Sequence, residues 1–141
     1  MLDMTDGTDE PLGYLLNRLA TNLRIEVTAT ALDPLELTFP QYICMRILSH
    51  SPGRSNAELA RDVMVSPQAM NIVVRGLQDR GLVSRPASVA SGRSLPAELS
   101  REGRALLKRT DVGIRAAEQR VLAPLDEQDR HDLRRILAEF G

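Results

Sequence analysis

The sequence has no tryptophan, and only two tyrosines and two phenylalanines stand among its 141 residues. Any core it builds is therefore aliphatic. A single cysteine, Cys44, excludes an internal disulfide and fits a reducing cytoplasm. The only histidines, His50 and His131, have no metal-ligand spacing to each other or to Cys44. There is no glycine-rich phosphate loop, and no Ser-His-Asp set has local sequence support. Carboxylates are plentiful, but they fall at helix starts and on exposed faces. No catalytic, metal or cofactor site is expected, and enzymatic classes drop out. No apolar run approaches the roughly 18 residues needed to span a bilayer. The opening MLDMTDGTDEP is acidic, the opposite of a secretory signal. The expectation is a cytoplasmic protein with no membrane partner.

What is present is 43% hydrophobic residues, enough for one domain with helical extensions. The net charge of −1 hides a segregation along the chain. Residues 1–53 carry a balance of −4, residues 54–109 a balance of +5, and residues 110–141 a balance of −2. Positive potential confined to the middle favours contact with phosphates there.

Periodicity and stop signals predict six helices and a hairpin. After an acidic leader over 1–10, expected to be disordered, Leu12, Leu15, Leu16, Leu19, Leu23 and Val27 recur at helical spacing, giving a first helix to about Leu32. Asp33-Pro34 interrupts it. Thr38 caps a second helix that ends before Pro52-Gly53. Ser55 with Glu58 forms a capping box for a short third helix. Ser66-Pro67 opens a fourth, closed by Gly81. In this fourth helix Met70, Val73, Val74 and Leu77 share one face, while Gln68, Asn71, Ile72, Arg75 and Gln78 fall towards the other. Leu82–Arg85 and Leu95–Leu99 read as two strands around a small polar loop carrying Arg93. Ser100 starts a fifth helix through Leu106, Leu107, Val112, Ile114 and Ala117, stopped by Pro124. Asp126 caps a sixth with Leu133, Ile136, Leu137 and Phe140 as its stripe.

Two short helices joined by a brief turn and followed by an arginine-tipped hairpin form a winged helix-turn-helix. Its second helix would enter a major groove of DNA and Arg93 an adjacent minor groove. The predicted class is mostly α with a small β-hairpin (α+β). A winged helix-turn-helix core occupies 33–100, with a recognition helix at about 67–80 and a wing at about 82–99. Dimerisation helices at 11–32 and 101–141 flank it. The stripes of the first, fifth and sixth helices have no other large element to cover them, which points to a homodimer.

In this order and spacing the chain resembles the MarR family of bacterial transcription regulators over about Leu12 to Phe140. The residues that carry the resemblance are Leu37-Thr38-Phe39-Pro40-Gln41-Tyr42, Glu58-Leu59-Ala60, Ser66, Leu77, Gly81-Leu82-Val83, Arg85, Gly92-Arg93 and Leu99-Ser100-Arg101-Glu102-Gly103. The resemblance implies an intertwined homodimer on a pseudo-palindromic operator, a repressor released by a small phenolic or anionic ligand bound between the dimerisation helices and the winged domain. It also exposes departures. Ile72 stands where the family often has an arginine or another polar residue, so it would touch a thymine methyl or the contact is missing. Arg75 replaces a frequent acid, and Gly76 a longer side chain, loosening the helix by roughly 1 kcal/mol relative to alanine. Ser91 replaces a frequent aspartate of the wing, and Pro96 within the second strand is tolerable only at an edge.

The candidate DNA contacts are Ser66 at a phosphate, Gln68, Asn71, Ile72 and Arg75 at base edges, Arg54 and Ser55 at the backbone, and Arg93 in the minor groove. Tyr14, Tyr42, Met45, Arg46 and His50 are candidates for the effector cavity that the resemblance implies, a set suited to an aromatic carboxylate. The competing class is a thiol-based redox sensor acting through Cys44, or a winged-helix interaction module that has lost operator recognition. Free cysteine is more often a small buried hydrophobe.

Overall fold

The structure, a computed structural model, describes residues 9–85 and 96–141. Most of the acidic leader and the hairpin tip, with Ser91 and Arg93, lie outside the described residues.

Helix α1 (Leu12–Val27) starts after Pro11 without a side-chain cap. It continues in a wider π turn over Thr28–Leu32 and tightens into a 3-10 turn over Asp33–Leu35. The single helix expected to reach Leu32 therefore keeps its path but changes pitch after Val27. The Thr30 hydroxyl donates to Glu26 O at 2.8 Å, a back-bond that perturbs a regular helical ladder. Glu36 then turns the chain in a left-handed conformation, φ 56°.

The next three helices begin where their capping residues dictate. Helix α2 (Phe39–His50) opens on Thr38, whose hydroxyl accepts from Gln41 N while the Gln41 side chain accepts from Thr38 N. Helix α3 (Asn56–Val63) opens on the expected Ser55–Glu58 box. Helix α4 (Pro67–Asp79) opens on Ser66, which accepts from Ala69 N at 3.1 Å. The turn between α3 and α4 places Met64 at φ 63°. Gly81, at φ 73°, ends the α4 segment as expected.

Strands β1 (Val83–Ser84) and β2 (Glu98–Leu99) pair antiparallel in the register Val83↔Leu99 and Ser84↔Glu98. Ala97 also bridges Arg54, so the segment before α3 closes the ladder on its other side. The described strands are shorter than expected. Pro96, which lacks an N–H for a ladder, stands before β2 and not within it. Helix α5 (Arg101–Val121) is capped by Ser100, whose oxygen accepts from Gly103 N and whose O–H donates to Gly81 O. Pro124 lies in the turn to α6 (Glu127–Ala138), capped by Asp126.

The core is aliphatic, as the composition requires. Leu32, Cys44, Met45, Leu48, Leu59, Met70, Val74 and Leu77 are fully buried around α2. By contrast, α6 buries none of its residues. Leu12 (71% exposed), Ile136, Leu137 and Phe140 (84%) leave a broad apolar surface at the ends of the chain. Val112, counted in the stripe of α5, faces outward at 73% exposure.

Two glycines with different surroundings test the packing. A Cβ at Gly103 would run into the Leu82 carbonyl and stand 3.0 Å from Leu99 Cδ2, whereas one at Gly13 would meet nothing within 4 Å among the described residues. Gly103→Ala should destabilise the fold by about 2–3 kcal/mol through overpacking. Gly13→Ala should be neutral or stabilising by up to about 1 kcal/mol. Denaturant melts of both variants check the contrast, and equal behaviour would remove the close approach of α5 to Leu82 from the account.

Candidate nucleic-acid interface and ligand cleft

Helix α4 is sided as its sequence predicts. Met70, Val74 and Leu77 are fully buried and Val73 is half-buried, while Gln68, Asn71, Arg75 and Gln78 are exposed and Ile72 is 73% exposed. Ser66 and Pro67 are exposed as well, so the free N–H groups of the first turn face solvent at the positive end of the helix dipole. A surface of amides, one guanidinium and one aliphatic side chain, next to an anion-attracting helix start, is suited to a phosphate-flanked groove.

Hydrogen bonds from three side chains that sequence reasoning missed hold this helix in place. Asn56 Nδ2 donates to Pro67 O at 3.2 Å, pinning the first turn of α4 to the start of α3. Arg85 in turn donates to Asn56 Oδ1 at 3.4 Å. Burial pulls the Arg85 pKa below the usual arginine value, and its buried Nε meets no partner among the described residues. At the other end, Arg80 donates to Glu36 O (2.7 Å) and Leu35 O (3.0 Å), clamping the C-terminus of α4 to the linker that follows α1. Asn56 and Arg80 are polar residues on exposed helix ends, which local pattern cannot separate from solvated side chains.

Other expectations change meaning. Arg54 is already met by Glu58 at 3.4 Å and Asp62 at 3.8 Å, so little of its positive charge is free. The Ser55 hydroxyl is engaged in the α3 cap, and the hydrogen bonds from Ser55 hold the Glu58 carboxyl below the usual carboxylate range. Gly76 is more than a loosening of α4. A Cβ there would stand 3.1 Å from Gln41 Nε2, the side chain that closes the α2 cap. Arg93 lies outside the described residues.

A cleft of about 1290 Å³ opens between α1, α2, α5 and α6. Tyr42, Arg46 and His50 line it, as the i, i+4, i+8 spacing on α2 allows. Met45 does not. It lies about 100° round the helix from Arg46 and is fully buried in the core. Tyr14 does not line it either; it stands half-exposed near the start of α1, with the Arg18 guanidinium 5.7 Å from its ring centroid. The missed wall is α5, whose Asp111, Ile114, Arg115 and Glu118 share one face at spacings of three, four and seven, with Leu122 just past its end. That spacing was available in the sequence, but which helix it faces was not. His131 also lines the cleft, so both histidines belong to its walls. Among the described residues no group of three or more His, Cys, Asp or Glu could hold a metal ion.

The Arg46 guanidinium forms an ion pair with Asp111 and lies 5.6 Å from the centroid of the Tyr42 ring. Burial alone would lower its pKa. Tyr42 and Asp111 outweigh that, and the net shift is above the usual arginine value. Chemically this is a cation fixed between an aromatic face and a carboxylate, the arrangement that receives planar anions.

Cys44 is fully buried on the inner face of α2, and burial pushes its thiol from 9.0 to about 11 against the opposing influence of Arg85. Folding raises this pKa, so the associated stability is complete below about pH 9 and is lost as pH rises through about 11. Among the described residues no helix is long and apolar enough to cross a membrane.

A family model described as "MarR family" matches residues 37–95. The HTH-type transcriptional repressor Rv2887 of Mycobacterium tuberculosis is 56% identical over 133 residues, which cover 94% of this chain and 95% of the relative. A crystal structure of the M. tuberculosis protein with salicylic acid matches with a TM-score of 0.80 at 55% identity, covering 98% of this chain and 100% of that one. A crystal structure of the same relative with DNA gives a TM-score of 0.80 at 51% identity, covering 94% and 98%.

The buried thiol makes a prediction separable from all of these likenesses. At pH 8 the thiolate fraction of Cys44 should be about a hundredfold below that of an unperturbed thiol. Alkylation by iodoacetamide should therefore be slower by at least that factor in the folded protein than in urea. Rapid labelling of the folded chain would restore the redox-sensor alternative.

Proposed function

The chain belongs to the MarR family, and from that membership we propose that it is a homodimeric, sequence-specific transcription repressor that leaves its operator when a small aromatic anion binds the cleft. The observation that carries this is the exposed face of α4, capped by Ser66 and clamped at both ends, in a chain half identical to a relative crystallised with DNA. In the proposed complex the first turn of α4 meets a phosphate. Gln68 and Asn71 pair with adenines, Arg75 with guanine, and Ile72 packs on a thymine methyl. Ser55 and Arg54 would lie near the DNA backbone, with Arg54 the weaker of the two because Glu58 and Asp62 share its charge. Arg93 is the proposed minor-groove contact.

The second copy is the proposed cover for the apolar ends of the chain. Burying Leu12, Ile136, Leu137 and Phe140 against their counterparts would remove a surface too large for an isolated domain to leave in water. The ligand site is proposed at Tyr42, Arg46 and His50, and the relative's complexes with salicylic and p-aminosalicylic acid support an aromatic carboxylate as its class. A regulator of this kind works in the cytoplasm and needs no catalytic group.

Retardation of a fragment from upstream of its own gene should fall steeply with salt, at a log–log slope of about −0.9 per neutralised phosphate. Arg75→Ala should weaken that specific complex by about 1–3 kcal/mol and non-specific binding far less. Equal losses on both DNAs would remove Arg75 from base readout, and a flat salt response would sink operator binding itself. In sedimentation the protein should run at twice the 15.6 kDa chain mass, whereas a stable monomer would overturn the dimer.

A further inference from the structure

The cleft proposed above as the ligand site already contains a bound carboxylate, that of Asp111 on Arg46. The partners come from distant parts of the chain, Arg46 from α2 and Asp111 from α5. Their side chains are 32% and 28% exposed, so the pair forms part of an open wall and is not sealed in the core. Tyr42 supports the guanidinium from a second side. Arg46 is thus a preorganised carboxylate receptor whose fork is filled by a group of the same chain. Among the described residues this is the one ion pair that joins α2 to α5.

We infer that Asp111 is an internal competitor of the ligand: an aromatic carboxylate binds by replacing the Asp111 carboxylate on Arg46 and thereby unfastens α5 from α2. The inference rests on the reading of the cleft as the ligand site and adds the group displaced and the link broken. One ion pair is exchanged for another. The charge at Arg46 stays compensated, Asp111 is released to water, and the aromatic ring gains the face of Tyr42. Because the exchange is nearly like for like, affinity is set by the ring, and Asp111 raises the concentration at which the ligand takes hold. A neutral amide analogue has no carboxylate to exchange and leaves the link in place. Since α5 packs on α1 and α2 carries α4, the pair lies where ligand binding and the setting of the reading helix would be coupled, and that coupling must be reciprocal.

Calorimetric titration of the full-length protein with salicylate and with salicylamide tests this. Asp111→Asn should bind salicylate roughly two- to fivefold more tightly than the wild type, the range expected for a partly exposed pair, with no gain for salicylamide. Arg46→Ala should weaken salicylate by about tenfold or more. Glu102→Gln removes an exposed carboxylate of α5 that does not line the cleft, and it should leave salicylate binding unchanged. An Asp111→Asn affinity at or below wild type, with Arg46→Ala still weakened, would overturn the competition while leaving the cleft reading intact. An equal gain from Glu102→Gln would reassign the effect to overall charge and likewise overturn it. Wild-type protein that takes up no salicylate, or an Arg46→Ala variant that binds as well as wild type, would overturn the cleft reading together with the inference. If the Asn variant lacks a cooperative melt, Asp111→Ser carries the same expected sign.

Discussion

Everything in this fold hangs on the burial of α2 in a core with no fully buried aromatic side chain, Phe39 and Tyr42 being only part-buried against it. Helices α3, α4 and α5 and strand β2 all pack on it. The side chains available to fill the space are short and aliphatic. Elements must therefore come closer than a chain rich in Phe or Trp would require. Three glycines mark where they do: Gly76 against Gln41, Gly103 against Leu82, and Gly113, where a Cβ would stand 2.9 Å from Ala31 Cβ. The last contact sits against the π turn, so the widening of α1 and the close approach of α5 occur at one place.

Local signals in the sequence were read correctly because the physics behind them is local. Thr38, Ser55, Ser66, Ser100 and Asp126 each cap the helix they were expected to start. The two faces of α4 follow from a 3.6-residue period alone. What escaped depends on partners far away in the chain. Nothing near Asp111 in sequence names Arg46, and nothing near Arg80 names the carbonyls of Leu35 and Glu36. Met45 and Arg46 are neighbours in sequence but point to core and cleft, a distinction of about 100° that composition cannot resolve. Arg54 is a further case: its ion pairs with Glu58 and Asp62, both on α3, depend on side-chain geometry that the charge pattern alone does not specify.

The exposed face of α4 and the cleft are carried by the same helix pair. Helix α4 buries Met70, Val74 and Leu77 and packs on α2, while Tyr42, Arg46 and His50 of α2 line the cleft with α1, α5 and α6. A shift of α2 relative to α5 would therefore move the floor on which α4 rests. Packed helices transmit such shifts because a dense interior deforms little. Arg80 adds a second route, since it ties the end of α4 to backbone that continues directly from α1.

The contact between Gly76 and Gln41 has a consequence for how the chain can diverge. Gln41 closes the cap of α2, and its amide occupies the space that a side chain at position 76 would need. The two positions are therefore not free to drift independently. A side chain at 76 needs the flexible end of Gln41 to give way, by a few tenths of an ångström for a Cβ alone. In a set of descendants of this sequence, 41 and 76 should covary. The alphabet open to α4 is thus restricted by the capped terminus of another helix, α2.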